Sequence, residues 1–445
     1  MGQLFGTDGI RGVANTELTP ELAVGLGRAV VRTLKEEGVA RPHIVIGRDP
    51  RSSGEMLEAA LVAGICSAGG DITSLGVIPT PGVAFLTGQI GADSGAMISA
   101  SHNPVEDNGI KFFGPTGYKL TDVEEDRVEE LLQRSEEHRP TGVAIGRAAD
   151  RPELIDAYLD HLVASVGESL TGLRVVVDCA NGAASRAAPA VLGRLGCDVT
   201  AINAEPDGNN INAGCGSTHP EVVARVVTEI GADVGLSHDG DADRLIAADA
   251  TGQIVDGDAV LAILAERLHR EEGLATVVTT VMTNLGFKQG MEALGVEVVQ
   301  TKVGDRYVLE AMLAGDHPIG GEQSGHVIFS RHATTGDGVL TAVQLLSAMA
   351  SSGRSLADLA TVMRRFPQVL VNVSGVDRGR LPEARALWDA VAAEEAALAE
   401  TGRILVRASG TEPLVRVMVE AATQERAAET AERLAKVAAA ELAVG

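Results

Sequence analysis

Residues 175–202, VVVDCANGAASRAAPAVLGRLGCDVTAI, spell out a strand, a polar loop, a helix and a second strand in succession. Val175–Val177 is a short β-branched run, and Asp178–Ser185 supplies loop chemistry. An Ala-rich stretch reaches Leu195 before Asp198–Ile202 returns to alternation. Gly196 sits where a helix would close on a left-handed residue. The same unit occurs earlier, from Ile44–Ile46 through Gly47–Gly54 and a helix over Glu55–Ser67 to Asp71–Leu75. It occurs again later, from Val277–Val281 through Thr283–Gly286 and Phe287–Leu294 to Glu297–Gln300. Two strands joined by a helix pair in parallel through a right-handed crossover, since a tight hairpin cannot connect parallel strands. The fold class is therefore α/β, with three similar mixed α/β domains. In such sheets ligands collect beyond the carboxyl ends of the strands, so chemistry is expected in the loops.

The rest of the 445 residues organises around these units. Glu124–Asp150 reads as a charged, helical and linker-like stretch, placing a boundary at residue 150, and a second falls near Thr251–Gly252. Beyond Phe366 the pattern changes to an alternating strand at Val369–Val373, a long Ala/Glu helix, paired strands at Ile404–Val406 and Leu414–Val419, and an amphipathic helix over Glu425–Leu442. That describes a smaller C-terminal α+β domain. The expected divisions are 1–150, 151–252, 253–366 and 367–445. No apolar run is long enough to span a bilayer and no leader pattern opens the chain, so a cytoplasmic protein without a membrane partner is expected. A net charge of −24 repels polyanions, and no basic run offsets it, so no nucleic-acid partner is expected either. The four cysteines, Cys66, Cys179, Cys197 and Cys215, lack the close spacing of a zinc site or disulfide framework.

Four loops carry chemistry. ISASHNPVEDNGIKFF (98–113) delivers Ser101 from the end of an apolar strand, with Gly109 and Lys111 read as a flexible turn and a phosphate-seeking cation. A Ser-His pair alone says little, because adjacent side chains on extended backbone point apart unless the chain turns sharply. SHDGDADRL (237–245) crowds Asp239, Asp241 and Asp243 after a strand. A hard cation in an oxygen shell relieves their repulsion and favours Mg²⁺ over Zn²⁺. An EF-hand is excluded, since its sixth and twelfth positions hold Arg244 and Ala250 rather than Gly and Glu. GGEQSGH (320–326) offers Glu322 and Ser324 to sugar hydroxyls, and His326 as a proton donor, beside two backbone-permissive glycines. LVRASGTEPLVRV (405–417) combines Arg407, Ser409, Gly410, Thr411 and Arg416 into a phosphate cradle. Near the start, FGTDGIRG (5–12) presents Arg11 among glycines. Three carboxylates with a phosphoserine and one divalent ion leave a net negative site, which Lys111 and Arg244 are suited to balance. No G-x-x-x-x-G-K-[ST] run exists to hold a nucleotide, which argues against a kinase or ATPase.

In order, these loops resemble those of the α-D-phosphohexomutase superfamily, and the resemblance covers essentially the whole chain. FGTDGIRG, TVMTNLGF (280–287), KVGDRYV (302–308) and GGEQSGH are similar to its amino-sugar branch more than to its mannose and glucose branch. The resemblance implies a four-domain, heart-shaped enzyme interconverting glucosamine 6-phosphate and glucosamine 1-phosphate on the route to UDP-N-acetylglucosamine. It implies that Ser101 carries a phosphoryl group and, through it, shares one Mg²⁺ with Asp239, Asp241 and Asp243. Glucosamine 1,6-bisphosphate would be intermediate and activator. Glu322 and Ser324 would bind sugar hydroxyls, and Arg407, Ser409, Gly410, Thr411 and Arg416 the phosphate not undergoing transfer. Arg11, Lys111, Arg244 and His326 would line the reacting centre, with the proton-handling role open between Lys111 and His326. A phosphorylated sugar is the expected partner, and whether the chain also pairs as a homodimer is open. A sensor with this fold but no chemistry should have lost Ser101 or an aspartate, and all four are present.

Overall fold

The structure, a computed structural model, describes residues 4–6, 8–134, 139–409 and 413–443. Contacts divide the chain into two compact units, one of Met1–Met282 with Val296–Val362, the other of Thr283–Gly295 with Met363–Gly445.

The first unit holds three sheets, and each contains one of the parallel pairs expected from sequence. In the first, the strand His43–Arg48 lies parallel to Asp71–Val77, with Ile44 opposite Ile72. The intervening helix Ser52–Ala68 closes on Gly69 in the left-handed region, at φ 88°. In the second, Arg174–Asp178 pairs with Asp198–Ile202 in the same sense, and in the third Thr276–Thr280 pairs with Glu297–Thr301. Hydrophobic burial holds these layers together. Leu57, Leu61 and Ile65 project from one stripe of helix Ser52–Ala68 and are fully buried with Leu26 and Ile46. Truncating such a leucine to alanine costs about 2–5 kcal/mol.

Two expectations change. Gly109 and Lys111 lie not in a flexible turn but in the strand Asp107–Phe113, antiparallel to Ser94–Ile98 and to Ile10–Val13. Ile110 and Phe112 enter the core, so strand alternation sends Lys111 to the opposite face. The charged stretch 124–150 is also not all linker. After the helix Asp122–Leu132, the short strand Ala148–Asp150 pairs with Asp71–Val77 and ends the six-stranded sheet.

The second unit is a three-stranded antiparallel sheet with Leu414–Ala421 between Gln368–Ser374 and Gly402–Ala408. Val415, Val417 and Val419 line the face covered by helices Arg385–Leu398 and Gln424–Glu441. The helix Leu285–Leu294, expected to complete the third repeat, groups with this unit. Asn284 donates to the Phe366 carbonyl and accepts from its N–H, both at 3.0 Å, and the Leu285 N–H donates to Glu420 at 2.8 Å. Among the described residues no helix is long and apolar enough to cross a membrane.

Candidate active site

Ser101 ends the short segment that leaves the carboxyl end of Ser94–Ile98. It is buried, and at φ 52° its backbone occupies the left-handed region that disfavours a side chain. That is the sharp turn a Ser-His pair requires, and it brings Ser101 Oγ within 3.4 Å of His102 Nδ1. Burial, then Arg244 and Arg11, depress the His102 imidazole to about 4, so it is neutral at ordinary pH. Ser101 Oγ donates its hydrogen bond to Asp239, 138 residues further along the chain.

Asp239, Asp241 and Asp243 follow the strand Val234–His238 in a loop bent at Ala242, φ 59°. All three are buried, and one oxygen from each lies within 4.8 Å of the others. Burial, reinforced by Asp243 and Asp241, raises the Asp239 carboxyl well above the usual range. Burial acts the same way on Asp241, but Lys111 at 3.0 Å and the Thr80 hydroxyl at 2.5 Å reverse it and hold that carboxyl below normal. Asp241 Oδ1 is buried with no hydrogen-bond partner among the described residues. An all-carboxylate set in which two acids are raised and the third has an orphaned oxygen fits a hard divalent cation. Gly240 lies between the first two carboxylates at the crossing with the serine loop. A Cβ there would stand 2.5 Å from the Ser101 carbonyl oxygen, so only glycine allows the two loops to meet.

Cations surround this pair of loops. Lys111 reaches Asp241 and, at 3.4 Å, Asp8. Burial would lower its ammonium, but Asp241 and Asp8 outweigh that and keep it protonated. Arg11 pairs with Asp8 and donates to the Ala100 carbonyl. Arg244 lies 3.6 Å from Asp243. His326 is buried at the hairpin between Ile319–Gly321 and Val327–Phe329. Its Nε2 accepts from the Gly336 N–H at 3.2 Å and lies 3.9 Å from Asp243. Glu322 accepts from the Gly304 N–H at 3.2 Å, and the buried Ser324 hydroxyl has no partner among the described residues.

The remaining predicted residues belong to the second unit. Arg407 and Arg416 face each other across the pair Gly402–Ala408 and Leu414–Ala421. Burial and Arg416 both depress the Arg407 guanidinium. Like charges directly opposite destabilise a sheet, and an anion between them removes that penalty. Ser409 is buried, its carbonyl accepting from Arg378 at 2.6 Å. Gly410 and Thr411 lie outside the described residues.

Sequence reasoning missed several participants. Asp8 sits inside FGTDGIRG and gathers Arg11, Lys111 and Lys119, while Lys119 also pairs with Asp305 of KVGDRYV. A charge count extended to Lys119 would have asked for these acids. Thr80, Arg51 and Asn212 are ordinary polar residues in sequence, and only the fold brings them to the site.

The chain belongs to the phosphoglucomutase/phosphomannomutase family. The models of its α/β/α domains I, II and III match residues 2–139, 156–252 and 256–366, and that of its C-terminal domain matches 370–437. It is an enzyme, a phosphohexomutase of the isomerase class, with a divalent-metal site. Within that class it is similar to phosphoglucosamine mutases. That of Streptomyces griseus is 55% identical over 98% of this chain and 99% of its own, and that of Thermobifida fusca 54% identical over the full length of both. A crystal structure of a phosphoglucomutase/phosphomannomutase family protein from Burkholderia thailandensis matches with a TM-score of 0.82 at 25% identity, covering 99% of this chain and 98% of that one.

Proposed function

We propose that this chain is a phosphoglucosamine mutase that works through a phosphorylated Ser101. The observation carrying the reading is the hydrogen bond from Ser101 Oγ to Asp239, which sets a nucleophile-sized oxygen against three buried carboxylates. Phosphorylated Ser101 gives its phosphoryl group to the free hydroxyl of glucosamine 6-phosphate or glucosamine 1-phosphate. The Oγ–P bond breaks as the sugar O–P bond forms, and the result is glucosamine 1,6-bisphosphate. After the bisphosphate turns over, Ser101 Oγ takes the other phosphoryl group and the enzyme returns to its starting state.

Asp239, Asp241 and Asp243 would hold Mg²⁺ together with an oxygen on Ser101. Bound there, the ion supplies positive charge to the phosphoryl group in transit. Lys111, 3.0 Å from Asp241 and 3.4 Å from Asp8, would supply positive charge and a hydrogen-bond donor, with the proton-handling role open between it and His326. His326 also lies at the centre, where taking the sugar hydroxyl's proton on Nε2 would require that nitrogen to release the Gly336 N–H it now accepts. Arg11 and Arg244 add charge at the centre. Glu322 and Ser324 bind the sugar, while Arg407, Ser409, Gly410, Thr411 and Arg416 bind the distant phosphate. The enzyme would be cytoplasmic, act on small phosphosugars and supply amino-sugar phosphate to UDP-N-acetylglucosamine synthesis.

Intact-protein mass before and after glucosamine 1,6-bisphosphate tests the carrier. One phosphate should be gained, and Ser101→Ala should neither gain it nor retain turnover, with a loss of at least about 10³-fold. Full activity and phosphate uptake by Ser101→Ala would refute the carrier role. Turnover of glucosamine, glucose and mannose 1-phosphates tests the substrate, and a preference for a neutral sugar would refute it.

A further inference from the structure

The Ser101 loop is gripped from beneath by residues that touch none of the reacting groups. Arg51 is the largest fully buried side chain among the described residues, and all five of its guanidinium hydrogens find oxygen. Nε donates to Asp49 at 2.9 Å. Nη2 donates to the carbonyls of Ser101 and Asn103, both at 2.9 Å. Nη1 donates to the carbonyls of Pro104 and Asp107. Asp49 closes the ring from the other side. It accepts from the Ser99 hydroxyl at 2.6 Å, and Ser99 Oγ in turn accepts the Ser101 N–H at 2.9 Å. The buried Asp49–Arg51 ion pair thus holds residue 101 by its carbonyl directly and by its amide through one hydroxyl.

A second grip comes from the loop that follows the strand Asp198–Ile202. Asn212 is itself left-handed at φ 56°, and its Nδ2 donates to the same two carbonyls, Ser101 at 2.9 Å and Asn103 at 3.1 Å. Both lone pairs of the Ser101 carbonyl are therefore filled, one from Arg51 and one from Asn212.

We propose that Arg51 and Asn212 are positioning residues for phosphoryl transfer: their four hydrogen bonds to the Ser101 and Asn103 carbonyls hold the serine in its left-handed turn and so aim Oγ at the carboxylate loop. The inference rests on Ser101 being the carrier. A residue other than glycine in the left-handed region costs about 1–3 kcal/mol and persists only where its surroundings over-determine it. Oγ must be leaving group in one half-reaction and nucleophile in the other, against either end of the sugar. A displacement of ~1 Å is enough to cost ~10²-fold in rate. Arg51 is fully buried and the Asn212 amide is spent on these two carbonyls, so their loss should fall on kcat rather than on binding.

Two variants test this. Asn212→Asp is isosteric, tolerates the left-handed backbone and turns a carboxylate oxygen toward the two carbonyls. Arg51→Lys keeps the charge opposite Asp49 but cannot span the carbonyls. Each should lower kcat by about 10–100-fold while KM stays within about threefold and Mg²⁺ affinity stays near that of the parent enzyme. Should Arg51→Lys fail to fold, Asn212→Asp, at an only partly buried site, decides. A kcat for Asn212→Asp within twofold of the parent overturns the inference, and so does a loss confined to KM. The parent's intact mass separates the two claims. A parent that never carries phosphate on Ser101 sinks the carrier reading, whereas a phosphorylated parent with unaffected variants sinks only the positioning role.

Discussion

At the scale of single residues, the site is built from incompatible groups forced together, and the fit is tightest where loops cross. The three aspartates stand out in the sequence because charge alone makes them conspicuous: three carboxylates within five residues demand a cation, whereas Ser101, weak when read alone, stands out only through the resemblance of the four loops taken together. Thr80, which donates to Asp241 161 positions away, was not legible, since a threonine at a helix start has many ordinary explanations. Arg51 lay in a loop marked as functional by its place at a strand's carboxyl end, yet its five acceptors come from the fold. Gly240 makes the crossing testable. In Gly240→Ala the new methyl would lie 2.5 Å from the Ser101 carbonyl oxygen and 2.9 Å from Asn212 Nδ2. Backbone must shift to admit it, so kcat should fall by about 10²-fold. Near-parental turnover in that variant would show that the two loops tolerate a looser approach than their contact implies.

At the scale of elements, the parallel units were readable because β-branched runs, polar loops and glycine caps occur in a fixed order. What the pattern could not reveal was partnership. The stripe on helix Leu285–Leu294 announces a buried face but not which sheet buries it, and the helix groups with the C-terminal unit. Likewise Ala148–Asp150 is too short to show an alternation, and Asp107–Phe113 begins on Asp-Asn-Gly, which reads as a turn. Helix Gly338–Ser352 carries a prediction of its own. Its N-cap, Asp337, accepts from the Leu340 N–H and the Tyr158 hydroxyl, both at 2.9 Å. Burial raises this carboxyl to about 7 against an ordinary 3.8, although those hydrogen bonds pull the other way. Between these two values the folded chain retains a proton that the unfolded chain has released, so this group's contribution is full below the lower value and fades as pH rises toward the upper. Asp337→Asn stays neutral throughout. Its thermal midpoint relative to the parent should therefore climb from pH 5 to pH 7.5, and parallel curves for the two proteins would contradict the assignment.

At the scale of the whole molecule, the two units should answer a metal ion differently. All three carboxylates belong to the first unit, where burial and their neighbours raise the cost of ionising Asp239 and Asp243. A cation that binds them only in the folded state stabilises by mass action, about 2.7 kcal/mol when present at 100 times its dissociation constant. A chain of two units need not melt in one step, so that gain belongs to the transition that dismantles the first unit. The sequence supplies a reporter for the other. Its single tryptophan, Trp388, lies in the second unit, exposed, with its indole N–H donating to the Leu381 carbonyl at 2.9 Å. Calorimetry in Mg²⁺ should show a first-unit transition several degrees above that in EDTA, while the tryptophan fluorescence midpoint moves less. In Asp241→Asn the calorimetric difference should shrink, because one carboxylate has left the shell. An equal shift of both signals would mean that the two units unfold together, and no shift in either would mean that the carboxylates hold no Mg²⁺ at all.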